Sequence, residues 1–281
     1  MRIVVISDVH IGYEHSDVAA FETFIDSLLS ARPDKVILLG DIFDFWRCSD
    51  VDLLVQNQNI VEKLMQLPLS YVCGNHDYSM LKLSRRFPQS PPFEVQVSLT
   101  LQNQTSRFIL RHGYELEVFT SMEPVGLESY EAFSEAMCHA GWIGGAIASW
   151  VWTFVELVRG RLTDAIRDLL MSAAKTPAEK RSRLQKVDVL AKSPSRGILL
   201  GLLPSDVLIF GHTHRPFVDA RTANAGSWVM TKEKKEHSYI EITDQSFEMK
   251  HWPASSQAVK ASLKGKRPIA IRRQQLRRKR R

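Results

Sequence analysis

Val36-Ile37-Leu38-Leu39-Gly40-Asp41-Ile42-Phe43-Asp44 reads as a buried strand that stops at a glycine and then offers two acids. A short apolar run ended by a turn residue is the pattern of a strand covered on both faces. Upstream, Ser16 to Ala31 puts Val18, Phe21, Phe24, Ile25, Leu28 and Leu29 on one helical stripe, and Pro33 ends it. Before that helix, Arg2–Ser7 is another apolar run, ending at Asp8-Val9-His10. Downstream, Asn57–Leu67 reads as a second helix, and Leu69–Cys73 as a third strand ending at Gly74-Asn75-His76-Asp77. This strand–helix alternation implies a parallel sheet with covering helices. Ligands in such sheets gather at the carboxyl ends of strands.

The second half is richer in strands. Phe93–Leu101 and Arg107–Arg111 read as a pair joined at Gln102-Asn103-Gln104, with His112-Gly113 directly after. Val207–Phe210 leads into Gly211-His212-Thr213-His214, and Ser238–Ile242 with Ser246–Trp252 forms a hairpin about Asp244-Gln245. Between the two halves, Glu128–His139, Trp142–Val158, Leu162–Ala174 and Ala178–Lys192 are helical in pattern. We expect one domain over residues 1–258, a helical insert over about 114–204, and a basic tail over 259–281. Trp142–Val155 carries no charge but is fourteen residues long, short of the ~20 that span a bilayer. It reads as a helix buried in the protein, or as an apolar helix that holds a lipid chain or touches a membrane surface.

Composition sets the class. The chain has 281 residues, 44% hydrophobic and 24% charged, which is ordinary for a globular protein. Its formal charge is +6, yet Lys260–Arg281 alone holds eleven basic residues and no acid. The rest is therefore mildly acidic. Such a block is a solvated tail, or it meets a polyanion, either an anionic membrane surface or nucleic acid. No protein partner is inferable. Three cysteines without a CxxC pattern point to a reducing compartment. The apolar start of the chain is far too short for a signal peptide. We expect a cytoplasmic protein, peripheral at the inner membrane face if the tail meets lipid.

The residues at the strand ends share one chemistry. Asp8, His10, Asp41, Asn75, His112, His212 and His214 are oxygen and imidazole donors, a set that suits Mn²⁺, Fe²⁺ or Zn²⁺. Mn²⁺ is the expected ion. Two divalent ions roughly 3.5–4 Å apart can share a bridging ligand, polarise a phosphoryl group and lower the pKa of a bound water. Asp41, directly ending a central strand, is the natural bridge. Asp8, His10 and one histidine of the Gly211–His214 loop complete one ion; Asn75, His112 and the other histidine complete the second. Asp44 and Asp77 are available to orient ligand imidazoles. His76 is left over, placed to give a proton to the leaving oxygen, with Asp77 fixing its ring.

Asp8-Val9-His10, Gly40-Asp41-Ile42-Phe43-Asp44, Gly74-Asn75-His76-Asp77, His112-Gly113 and Gly211-His212-Thr213-His214 together resemble the calcineurin-like metallophosphoesterase superfamily, over residues 1–112 and 204–230. The resemblance implies an α/β fold, a four-layer αββα sandwich, with two metal ions. It assigns Asp8, His10, Asp41 and His214 to one ion, Asp41, Asn75, His112 and His212 to the other, and His76 to the catalytic acid. Phe45-Trp46, Arg215-Pro216 and Asn224-Ala225-Gly226-Ser227-Trp228 narrow it to the UDP-2,3-diacylglucosamine pyrophosphohydrolases. Those enzymes cleave a nucleotide-linked lipid pyrophosphate and carry a helical insert that caps the site. The chain departs from their pattern at His76, where many members have Arg, and at Tyr114, where an acid would follow His112-Gly113.

The expected function is hydrolysis of a phosphodiester or pyrophosphate, with a nucleotide-diphospho-lipid or sugar as substrate. A nuclease on the same fold is the alternative, and the basic tail favours it. A non-catalytic scaffold is a third reading, against which the intact ligand set argues.

Overall fold

Alternation along each central strand builds the molecule in layers. The computed structural model describes residues 1–86, 94–122, 125–140, 177–231, 236–254 and 256. Strand β1 (Arg2–Ile6) sends Val4 and Ile6 to one side, against Phe21, Phe24 and Ile25 of helix α1 (Val18–Ala31). Ile3 and Val5 go to the other side, into a cluster with Phe108, Leu110 and Ile209 of a second sheet. Period-two alternation with both faces buried needs apolar residues at every position, which is why these runs look continuous.

The first sheet joins β1 in parallel to β2 (Lys35–Leu39), then β3 (Leu69–Val72) and β4 (Glu94–Gln96). On the far side of β1 lie β10 (Glu236–Thr243), antiparallel to β1, and then β11 (Phe247–Pro253), antiparallel to β10. The second sheet runs β5 (Ser98–Gln102), β6 (Arg107–Arg111), β7 (Val207–Phe210), β9 (Thr222–Asn224), β8 (Phe217–Asp219). Its outer face, Ile109, Leu208 and Phe210, is covered by Leu116, Val187, Ala191 and Leu202. The order is therefore helices, sheet, sheet, helices, the expected αββα sandwich with mixed sheets.

Three details differ from the sequence reading. The predicted strand over Phe93–Leu101 is two strands in different sheets: β4 pairs with β3, and β5 pairs with β6. Alternation continues through Val97, so periodicity carries no mark of the change of partner. The ends of the predicted insert form the outer layer of the second sheet, through α2 (Tyr114–Ser121) and the helix Pro177–Lys192. The three-residue strands β8 and β9 are too short to show a period. Trp142–Val155, Leu162–Ala174 and the tail 259–281 lie outside the described residues. Among the described residues no helix is long and apolar enough to cross a membrane.

Candidate metal centre

Asp8, His10, Asp41, His212 and His214 all have positive φ, between 54° and 63°. Among the described non-glycine residues only Arg32, the C-cap of α1, joins them. Left-handed backbone costs an L-residue roughly 1–2 kcal/mol. Five such residues at the ends of neighbouring strands mark a functional constraint, because strain persists only where the surroundings over-determine it. Here the loops are stitched to one another: Asp8 N–H donates to Gly40 O (3.1 Å), His10 N–H to Asp41 O (2.9 Å), and Gly211 N–H to His112 O (2.9 Å). Gly211 is required by close approach, since a Cβ there would collide with Ser7 Oγ and Asp8 Oδ2.

The predicted ligands converge. Asp8, His10 and His214 present donor atoms within 4.8 Å of one another, as do His10, Asp41 and His76, and Asp41, His112 and His212. His10 Nε2 lies 3.2 Å from His214 Nε2, and His214 Nε2 lies 3.1 Å from Asp8 Oδ1. Asp41 Oδ2 is 3.7 Å from His10 Nε2 and 3.1 Å from His112 Nε2, so it faces both groups. Asp8 Oδ1, Asn75 Oδ1 and His112 Nε2 are buried and make no hydrogen bond. Buried polar atoms are almost always satisfied. Buried donor atoms left unsatisfied in this way, next to carboxylates and imidazoles that face one another, fit a cation centre.

The rings are oriented from behind. His112 Nδ1 donates to Leu39 O (2.9 Å), leaving Nε2 for an ion. His10 Nδ1 meets Asp44 Oδ2 at 3.3 Å, and His76 Nδ1 meets Asp44 Oδ1 at 2.9 Å. Asp44 thus serves two histidines, and Arg47 Nε donates to it as well (2.9 Å). This corrects the role expected for Asp77. Its carboxylate accepts from Gly74 N–H (2.6 Å), Ile42 N–H (2.8 Å) and Tyr71 O–H (2.5 Å), so it shapes the Asn75 loop and does not touch the His76 ring. The ring of His76 stacks instead on Trp46, with centroids 4.2 Å apart. Helix 127–140 lies over the same loop, with Cys138 Sγ 3.4 Å from His76 O.

Sequence reading missed Glu117. It is buried, and its Oε2 lies 2.7 Å from His212 Nε2. Burial works against its charge, but His212 and Arg183 outweigh this and hold its carboxyl down at about 2. The available signal was an acid within a turn of His112-Gly113. Two acids qualify, and Glu115 turns away to accept from Gly113 N–H (3.1 Å) and pair with Arg111 (3.2 Å).

Electrostatics agree with a cation site. Burial opposes charge on His10, yet Asp44, Asp8 and Asp41 push it up to about 10. Burial likewise opposes charge on His112, and Asp41 and Asp8 push it up to about 10. Asp8 and Asp41 are held low despite burial, by His214 and His112 first among their neighbours. Carboxylates that draw protons onto imidazoles will draw divalent ions in competition with them. The sign for the metal-free protein follows. His10 and His112 sit above their ordinary value of 6.5, so their stabilisation is complete below about 6.5 and is lost as pH rises toward about 10. Melting with a chelator should give a Tm that falls from pH 7 to 9, and the gain on adding Mn²⁺ should widen over that range. A chelated Tm that stays flat or rises would contradict this.

The calcineurin-like phosphoesterase family model matches residues 1–216. The chain belongs to that family. Its fold and its clustered histidines and aspartates support metal-dependent phosphoester hydrolysis in general. Among curated proteins, it is similar to the UDP-2,3-diacylglucosamine hydrolase of Shewanella sp. (strain W3-18-1), 23% identical over 264 residues, which cover 92% of this chain and 99% of the relative. The enzyme of the same name from Shewanella baltica (strain OS185) is 24% identical, with 81% and 90% covered. Among solved structures, a dimetal phosphatase from Danio rerio is similar at 14% identity and TM-score 0.46, with 91% and 96% covered.

Proposed function

We propose that this phosphoesterase hydrolyses the pyrophosphate of a nucleotide-diphospho-lipid or sugar of the UDP-2,3-diacylglucosamine type. The observation that carries the hydrolytic reading is the convergence of Asp8, His10, Asp41, His112, His212 and His214 from four strand-end loops, with Asp8 Oδ1, Asn75 Oδ1 and His112 Nε2 buried and unsatisfied. Asp8, His10, Asp41 and His214 would hold one ion, and Asp41, Asn75, His112 and His212 the other. Bound there, the ions supply phosphoryl polarisation and a water of lowered pKa. Asp44 holds Nδ1 of His76, leaving Nε2 to give its proton to the departing oxygen. Trp46 keeps that ring in one plane. Asn75, a neutral oxygen donor, limits negative charge where an anionic substrate must enter.

The substrate class is supported by end-to-end similarity to the Shewanella enzymes and by the motif segments around Trp46 and Trp228. The uncharged stretch Trp142–Val155 is suited to acyl chains. We assign the lid role to the middle of the insert, since both its ends pack on the sheet. Lys260–Arg281 would draw the protein to an anionic surface, each cation near it adding about 1 kcal/mol. A nuclease remains the second reading, because that tail suits nucleic acid equally well. Turnover with Mn²⁺ should be compared on UDP-2,3-diacylglucosamine in anionic vesicles, UDP-glucose and single-stranded DNA. The lipid-linked pyrophosphate should have the highest kcat/KM. Faster cleavage of DNA would replace this substrate assignment with the nuclease.

A further inference from the structure

Glu117 sits where two structural demands meet. One carboxylate oxygen is 2.7 Å from His212 Nε2. The other accepts from Arg183 Nε at 2.6 Å and lies 2.5 Å from Arg183 Nη2. An ionised carboxylate can only accept, so Nε2 of His212 carries the proton and Nδ1 is the nitrogen left for an ion. Arg183 belongs to the helix Pro177–Lys192, and that helix grips the same loop again. Asp188 Oδ1 accepts from Thr213 Oγ1 at 2.9 Å, and Asp188 Oδ2 lies 3.4 Å from Arg215 Nη1.

We propose that Glu117 is a positioning residue for His212 and that its pair with Arg183 ties one metal position to the docking of the helix Pro177–Lys192. This rests on the two-ion reading above. It also accounts for the departure at Tyr114: the acid missing directly after His112-Gly113 is replaced by one a helical turn further on, facing the same loop. Carboxylates behind metal-binding histidines fix the tautomer and raise ligand basicity, and losing one typically costs roughly 10–100-fold in metal affinity or activity. Because Arg183 and Asp188 are on one helix, a change in the docking of that helix would be felt first in the loop that carries His212 and His214.

The test is calorimetric titration of the full chain with Mn²⁺, stripped beforehand with a chelator, for wild type, Glu117→Gln, Glu117→Leu and Arg183→Ala. Wild type should bind two ions. Glu117→Leu should weaken one of them by about 10–100-fold and leave the other within about twofold, with Glu117→Gln milder. Arg183→Ala removes no core atom near the loop and should weaken the same ion. Histidine ¹⁵N shifts of the metal-free protein give an independent readout: the His212 signal should move from the Nε2-protonated tautomer toward a mixture in Glu117→Leu. If Glu117→Leu fails to fold, Arg183→Ala and Glu117→Gln decide alone. Unchanged affinities in both, or equal weakening of the two ions, would overturn the positioning role. A wild type that binds fewer than two ions would overturn the two-ion reading, and this assignment with it.

Discussion

Asp41→Ala is expected to abolish metal-dependent hydrolysis and to lower bound metal at both positions. Its Oδ2 faces His10 Nε2 at 3.7 Å and His112 Nε2 at 3.1 Å, so it is the carboxylate common to both groups of donors. Its Oδ1 accepts from His76 N–H (2.8 Å), which also ties the Asn75 loop to the centre. Removal takes away the charge that offsets two neighbouring cations and frees the loop that carries Asn75 and His76. Asp41→Asn keeps the shape and the His76 bond but not the charge, so it separates the two causes. Metal analysis and turnover should fall together in both variants. Two ions per chain with near-normal turnover in Asp41→Ala would show that the bridge is elsewhere.

His76→Ala should keep both ions and lose rate. A positioned acid typically contributes ~10²–10⁴-fold. The residue is fit for it because Asp44 bonds Nδ1 at 2.9 Å and Trp46 stacks on the ring, which fixes where Nε2 lies. The loss should shrink for nitrophenyl esters, whose leaving groups depart without a proton. An equal loss on good and poor leaving groups would argue for a role in binding. Asp44→Asn should give a related but mixed phenotype, because Asp44 also meets the ligand His10.

The metal donors were legible because each ends an apolar strand, and strand ends converge by topology. Asp8, Asp41 and Asn75 could be placed from β1, β2 and β3 alone. What lies behind the donors was less legible. Asp44 and Asp77 are both acids close to His76 in the fold, and sequence spacing cannot say which carboxylate turns to the ring. The structure gives Asp44 to the ring and Asp77 to the backbone of the Asn75 loop. Glu117 is a similar case: on a helix, residues two apart point in different directions, and only the packing of α2 tells Glu117 from Glu115. The split of Phe93–Leu101 between two sheets was hidden because both sheets bury the same alternation. The packing of the insert's ends was not legible, because the surface that Leu116, Val187 and Ala191 bury belongs to a sheet formed by strands on either side of them in sequence.

Electron paramagnetic resonance of the Mn²⁺-loaded protein, recorded as metal is added to the chelator-stripped chain, tests the central claim most directly. Two Mn²⁺ ions sharing a carboxylate at roughly 3.5–4 Å should give a spin-coupled signal that grows with the second equivalent, in step with phosphodiester hydrolysis. A single uncoupled six-line signal that saturates at one equivalent, with full activity, would contradict a two-ion centre.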